Sequence, residues 1–92
     1  MPVTVRIPTP LRRITDGKDK VEVEGDTLQS VVDALDGEYP GIKERICGED
    51  GDIRHFVNVY VNGEDVRYLD GLGTATKSGD EISIVPAVAG GR

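Results

Sequence analysis

The fold is decided by residues 21–40, which read VEVEGDTLQSVVDALDGEYP. At the start of this stretch, Val21 and Val23 alternate with glutamates, which is the pattern of a strand with one buried face. Apolar side chains then recur at the spacing of one helical face. This face consists of Leu28, Val31, Val32, Leu35 and Tyr39. A strand that leads directly into an amphipathic helix predicts a helix packed on a sheet.

Both ends of this helix carry local signals. Asp26 or Thr27 can cap the first turn, and Gln29 lies three residues after Asp26, as in a capping box. Pro40 ends the helix and could start a second, short one that carries Ile42.

Another strand precedes this stretch. Residues 3–7, VTVRI, alternate between apolar and polar side chains. Asp16 and Gly17 form a turn signal before the strand at residues 21–24. The two strands are therefore predicted to form an N-terminal hairpin with a long loop.

Further strands follow the helix. Residues 56–61, FVNVYV, alternate again, and Asn62 with Gly63 is a strong signal for a tight turn. The segment Val66–Tyr68 is therefore predicted as the return strand. We expect Leu69 and Leu72 to be core anchors in the irregular segment beyond it, and a Gly-Asp turn to lead into a last strand. That last strand is Glu81–Pro86.

The predicted order is a hairpin, one main helix and then two or three strands. One amphipathic helix on one mixed sheet is a two-layer α+β domain, and the long crossover suits a helix that lies across the sheet. This is the order of the ubiquitin-like β-grasp fold, with a mixed four- to five-stranded sheet and its first and last strands side by side in the middle. We expect residues 1–86 to form this domain and residues 87–92 to follow as a flexible C-terminal tail.

Composition narrows the class of function. The net charge of −6 argues against a nucleic-acid or anionic-membrane partner, and no apolar run approaches the length of a membrane span. A single cysteine, Cys47, rules out an internal disulfide framework and fits a reducing cytoplasm. With one cysteine and one histidine, a Cys/His zinc site is not expected.

The lone cysteine and histidine and a short acidic run are interpreted as structural or incidental residues. Cys47 lies at the end of the short helix, where the helix dipole raises a thiol pKa, and His55 is far from it in sequence. Glu49, Asp50 and Asp52 lack the ordered ligand spacing of a calcium loop, so a solvated loop is predicted.

The chain ends in AVAGGR at residues 87–92, directly after the last predicted strand. Gly90 and Gly91 have no Cβ, so this part of the chain has more backbone conformational freedom and a smaller width than other sequences. Fully extended, residues 87–91 would reach roughly 17 Å. Such a ribbon suits insertion into a narrow channel of another protein, with a terminal carboxylate as the reacting group. The alternative is a frayed terminus that merely contains glycines.

Residues 79–91, GDEISIVPAVAGG, resemble the C-terminal signature of the MoaD/ThiS sulfur-carrier family. That signature is a Gly-Asp turn, an apolar strand, a proline, a few small residues and a diglycine. Residues 59–67, VYVNGEDVR, match the family's strand–turn–strand segment, and the similarity extends over residues 1–91. Arg92 is a departure, because mature carriers of this family end at the second glycine.

The resemblance implies a carrier and not an enzyme. An E1-like adenylating enzyme of the MoeB/ThiF type would use ATP to adenylate the Gly91 carboxylate, and sulfide or a persulfide would convert it to a thiocarboxylate. Gly90, Ala89 and Val88 would thread through the channel of that enzyme. The carrier itself would bind no metal and no cofactor.

Arg92 has three interpretations. It is a native extension that a JAMM-type zinc protease removes, a remnant of recombinant production, or a sign that Gly91 is never activated. In the last case the protein is a binding module.

A partner-docking face is also predicted. By strand alternation, the sheet face opposite the helix should carry Thr4, Arg6, Asn58, Tyr60, Ser83 and Val85. Arg6, Tyr60 and Val85 would form a docking patch beside the tail, because exposed aromatic and arginine side chains often anchor interfaces. Isolated exposed apolar residues are otherwise normal.

The pathway is predicted from two segments. Residues 56–62, FVNVYVN, and 86–91, PAVAGG, look most like the carriers of an actinobacterial cysteine-biosynthesis route. In that route the sulfur acceptor is a cysteine synthase-like enzyme, and a zinc protease releases cysteine. The alternatives are a carrier for molybdopterin, thiamin or thiolated natural products, a ubiquitin-like protein modifier, and an interaction module that is never activated.

Overall fold

The computed structural model describes residues 2–86. Within these residues, five strands and two α-helices follow one another, with three short 3-10 helices between them. The strands are β1 (Val3–Arg6), β2 (Lys20–Val23), β3 (Val57–Val61), β4 (Glu64–Asp65) and β5 (Glu81–Pro86). The α-helices are α1 (Leu28–Glu38) and α2 (Ile42–Ile46), and the 3-10 helices are Thr9–Leu11, Val66–Tyr68 and Gly71–Gly73.

The five strands form one mixed sheet in the order β2-β1-β5-β3-β4. The first and last strands lie side by side and parallel in its middle, whereas the other neighbouring pairs are antiparallel. The predicted ubiquitin-like β-grasp architecture is confirmed, with five strands.

The main helix begins at a side-chain cap. The Thr27 hydroxyl accepts a hydrogen bond from the Ser30 amide at 3.1 Å. The prediction that Gln29 completes a capping box is wrong, because Thr27 as the cap makes Ser30 the third helical residue. Gln29 instead donates to the Asp33 carboxylate at 3.2 Å.

The predicted helical face packs into the core. Four of its five members are buried, and Tyr39 packs against them as a partly buried residue. The alternating valines of β1, β2 and β3 and the isoleucines of β5 meet this face from the sheet. The short second helix is also confirmed, and it buries both Ile42 and Ile46.

The predicted return strand is wrong. The strand after the turn comprises only Glu64–Asp65, and Val66–Tyr68 is a 3-10 helix. The Asp65 carboxylate accepts a hydrogen bond from the Arg67 amide at 2.9 Å, which turns the chain out of the ladder. Leu69 is 41% exposed and is no core anchor, whereas Leu72 packs partly buried against the core.

The predicted Asn-Gly turn between β3 and β4 is confirmed. Asn62 and Gly63 both adopt positive φ, at 52° and 88°, as a tight hairpin turn with two left-handed residues requires. Neither α-helix in residues 2–86 has the length and apolar character needed to span a bilayer.

Candidate functional site

The residues that would carry the chemistry follow β5. Val88, Ala89, Gly90, Gly91 and Arg92 lie outside the described residues, so the roles predicted for them stay predictions. The proposed boundary between a domain at residues 1–86 and a tail at 87–92 stays a prediction for the same reason. What the structure describes is the strand that leads to them.

Only one of the two neighbouring strands pairs with the end of β5. The parallel register with β1 runs from Thr4 opposite Glu81 to Arg6 opposite Ser83. The antiparallel register with β3 continues to Val57 opposite Pro86. The last three residues of β5 are therefore aligned with β3 alone.

A side-chain latch holds the beginning of β5. The Asn62 amide donates to one oxygen of the Asp80 carboxylate at 3.0 Å, and the Lys77 backbone N–H donates to the other at 3.0 Å. The Asn62 side-chain oxygen accepts from the Glu81 amide at 2.9 Å. These bonds favour the ionised form and lower the pKa of Asp80.

Sequence reasoning missed this latch. It treated the Asn-Gly and Gly-Asp turns as separate signals, although Asn62 and Asp80 are 18 residues apart and bonded to each other. The pairing follows from the antiparallel β3–β5 register, which places the two turns at the same end of the sheet.

The predicted docking patch lies on one sheet face. Arg6 and Tyr60 are both opposite Ser83, so these three side chains form a row across the central strands. Val85 is the diagonal neighbour of Tyr60 on the same face and is 46% exposed. The structure thus brings Arg6, Tyr60 and Val85 together.

Arg6 is paired within the domain. Its Nε donates to the Glu81 carboxylate at 2.9 Å, and both side chains are about half exposed. The sequence analysis left Glu81 out of the patch, although Glu81 precedes Ser83 by two positions and shares its face. The row also extends to Lys20 and Asp65 on the outer strands. The face therefore carries both signs of charge.

Cys47 is buried at the C-terminal end of α2, and desolvation raises the pKa of its thiol. This agrees with a structural cysteine, because a buried neutral thiol is a poor nucleophile. In the acidic loop, the Asp50 carboxylate accepts from the Asp52 amide at 3.1 Å. Within residues 2–86, no group of three histidine, cysteine or acidic side chains is placed to hold a metal ion.

The sequence comparisons cover almost the whole chain. A family model described as the ThiS family matches residues 5–91. The chain belongs to the ThiS family. This ThiS-family member is also 50% identical to the sulfur carrier protein CysO of Mycobacterium tuberculosis, over 99% of this chain and 100% of that protein.

Solved structures support the assignment of this ThiS-family member. CysO in the Amycolatopsis orientalis BexX/CysO complex is 47% identical, has a TM-score of 0.91, and is matched over 97% of this chain and 99% of that one. SAMP1, a small archaeal modifier protein from Haloferax volcanii, is 33% identical with a TM-score of 0.81, over 99% of this chain and 100% of that one.

Proposed function

We propose that this protein is a sulfur carrier that delivers sulfur as a C-terminal thiocarboxylate, most directly for cysteine biosynthesis. Gly91 carries the sulfur, and Gly90, Ala89 and Val88 thread into the activating enzyme. The single observation that supports this most is the position of β5. It is a central strand that ends at Pro86, and the sequence continues directly into AVAGG in a chain 50% identical to a named sulfur carrier.

The chemistry requires an activating partner. The Gly91 carboxylate attacks the α-phosphorus of ATP, pyrophosphate leaves, and an acyl-adenylate forms on an E1-like enzyme of the MoeB/ThiF type. Sulfide then attacks the acyl carbon, the bond to AMP breaks, and a thiocarboxylate remains. The acceptor is a cysteine synthase-like enzyme that binds the same end of the carrier. The protein functions in the cytoplasm, because thiols and sulfide persist in a reducing compartment.

Arg92 must be removed before activation. Its amide bond to Gly91 leaves no carboxylate on the glycine, and hydrolysis of that bond by a JAMM-type zinc protease would release arginine. The docking patch of Arg6, Tyr60 and Val85 supplies the contact with the activating enzyme. It lies on the open face of β5, the strand from which the chain continues to Gly91.

Intact mass spectrometry tests the proposal. The chain that ends at Gly91 is incubated with the E1-like enzyme, ATP and sulfide, and its mass should rise by the difference between sulfur and oxygen. The chain that retains Arg92 should stay unchanged, as should a reaction without ATP. An unchanged mass with an enzyme that activates another carrier would refute the sulfur-carrier role.

The variant Gly91→Ala tests direct access to the reacting carbonyl. A Cβ restricts the backbone and narrows the approach of nucleotide and nucleophile, so thiocarboxylate yield should fall by about tenfold or more. The free energy of unfolding, measured by urea denaturation, should be unchanged. The control is Gly37→Ala at an exposed position of α1, and this variant should react like the native chain. A normal yield from Gly91→Ala would contradict the access argument.

Protein modification is the second candidate. The relative SAMP1, whose printed name is a modifier protein, matches this chain at 33% identity over its full length. If the activated Gly91 is transferred to lysine amines, the E1-like enzyme, ATP and a cell lysate should yield a ladder of conjugates. Free thiocarboxylate without conjugates would favour the carrier alone.

A further inference from the structure

The Arg67 guanidinium makes a dense set of hydrogen bonds at the start of β3. Nη1 donates to the side-chain oxygen of Asn58 at 2.6 Å. Nη2 donates to the Val57 carbonyl at 2.7 Å and the Arg54 carbonyl at 2.8 Å. The His55 carbonyl lies at 3.2 Å and shares one of the two Nη2 hydrogens.

Two of these acceptors, Val57 and Asn58, lie in β3, and the other two lie in the segment that precedes it. The Val57 amide donates back to the Arg54 carbonyl at 3.0 Å, so it is not directed at β5. Val57 and Pro86 face each other as a pair that is not hydrogen-bonded, which the alternation of an antiparallel ladder produces at every second position. The backbone groups of Val57 therefore point away from β5, and its carbonyl accepts from Arg67 instead.

The hydrogen-bonded pairs of the β3–β5 ladder within residues 2–86 can be located from its alternation. The Asn62 amide donates to the Glu81 carbonyl at 2.8 Å, and bonded pairs recur at every second position of an antiparallel ladder. In the observed register, Asn58 with Val85 is the bonded pair nearest the end of the described residues. Arg67 thus binds the side chain of one member of this pair.

We infer that Arg67 is a positioning residue that keeps the end of β5, from which the sequence continues to Gly91, in register with β3. Residues Ile84, Val85 and Pro86 are aligned with β3 alone, so an ordered start of β3 keeps the end of β5 in register. Arginine is required because its planar fork donates from two nitrogens at once. A lysine would offer a single nitrogen. The role in activation rests on the proposed function, whereas the clamp itself does not.

Hydrogen exchange of the full chain tests the clamp. In Arg67→Ala the amides of Asn58 and Val85 should exchange about tenfold to a hundredfold faster, because charge-assisted bonds at the ladder's end are lost. The Glu81 amide, at the other end of β5, should keep its native exchange rate. The matched control is Arg45→Ala, an exposed arginine on α2.

The variant Arg67→Lys keeps the positive charge and loses the second donor nitrogen. Its Val85 amide should exchange nearly as fast as in Arg67→Ala, whereas exchange in Arg45→Lys should match that of the native chain. Native-like exchange in both Arg67 variants would overturn the clamp. A uniform rise over the whole sheet would also overturn it, since that result means global destabilisation.

Steady-state kinetics test the positioning role. These measurements use chains that end at Gly91 as substrates of the E1-like enzyme. The KM of the Arg67→Ala chain should be about tenfold higher than that of the native chain, because one more residue must be ordered on binding. The value of kcat should stay within about twofold, since the reacting glycine is unchanged. An unchanged KM despite faster exchange at Val85 would overturn positioning. Failure of the native chain to be adenylated would refute the proposed function, and the exchange pattern would still decide the clamp.

Discussion

At the residue scale, Gly25 is required because there is no space for a Cβ, and its backbone dihedral angles do not demand glycine. It joins β2 to α1, and a Cβ there would lie 2.8 Å from the Val31 amide nitrogen and 2.9 Å from its Cγ2. Its carbonyl also accepts a hydrogen bond from the Thr76 hydroxyl at 2.8 Å. The close approach of this loop to the helix therefore depends on a missing side chain.

Gly25→Ala should destabilise the domain by about 1–3 kcal/mol, because the added methyl group meets backbone that cannot move aside. The control is Gly37→Ala at an exposed position of α1. A Cβ there meets nothing within 4 Å, so stability should rise by up to about 1 kcal/mol. Urea denaturation measures both values. Equal stability of Gly25→Ala and the native chain would contradict the steric argument.

At the scale of elements, β5 is held by its turn as well as by its ladders. The Asp80 latch joins this turn to the β3–β4 turn, and the Asp80 carbonyl accepts from the Thr4 amide at 3.0 Å. Asp80 is buried and thus joins the two turns through its carboxylate and β1 through its backbone carbonyl. Arg67 acts at the opposite end of β5, so both ends of the strand are secured by side chains.

The Asp80 latch predicts a pH dependence. Its pKa is lower in the folded protein than in the unfolded chain, so it stabilises the fold above about pH 4, and this contribution is lost as pH falls through the folded pKa. Asp80→Asn should cost about 1–3 kcal/mol at pH 7, and the difference from the native chain should shrink in acid. Urea titrations at several pH values measure it. Asp19→Asn, at an exposed position, is the control. A difference that is independent of pH would contradict the latch.

At the scale of the whole molecule, the two faces of the sheet have different roles. The helices cover one face and bury its valines and isoleucines, whereas the opposite face leaves Tyr60 partly buried and Val85 exposed. Arg6 on this face is already paired with Glu81, so a partner must compete for it or bind the pair. The apolar members should therefore contribute more affinity than the arginine.

Tyr60→Ala combined with Val85→Thr should weaken binding to the E1-like enzyme by about tenfold or more. Threonine keeps the branched shape that suits a strand, so stability should change little at Val85. Gln29→Ala on the helical layer is the control. Isothermal titration calorimetry measures the affinities, and unchanged affinity of the double variant would refute this docking face.

Local periodicity predicted most elements correctly. Strand alternation repeats every two residues, and a helical face repeats every three or four. Both patterns therefore involve residues that are close in sequence, and they predicted β1, β2, β3, β5 and α1. Val66–Tyr68 was predicted as the return strand because it follows the Asn62–Gly63 turn signal. Its actual shape depends on the Asp65 cap and on the Arg67 bonds to a segment about ten residues away.

The sequence by itself determined the strand–helix order, the buried faces and the placement of a diglycine directly after the last strand. These depend on side-chain period and covalent order alone. Only the tertiary structure decided that Asn62 binds Asp80 and that Arg67 binds the start of β3. The physical reason is that these bonds join residues brought together by strand register and turn geometry, and a periodic pattern encodes neither of them.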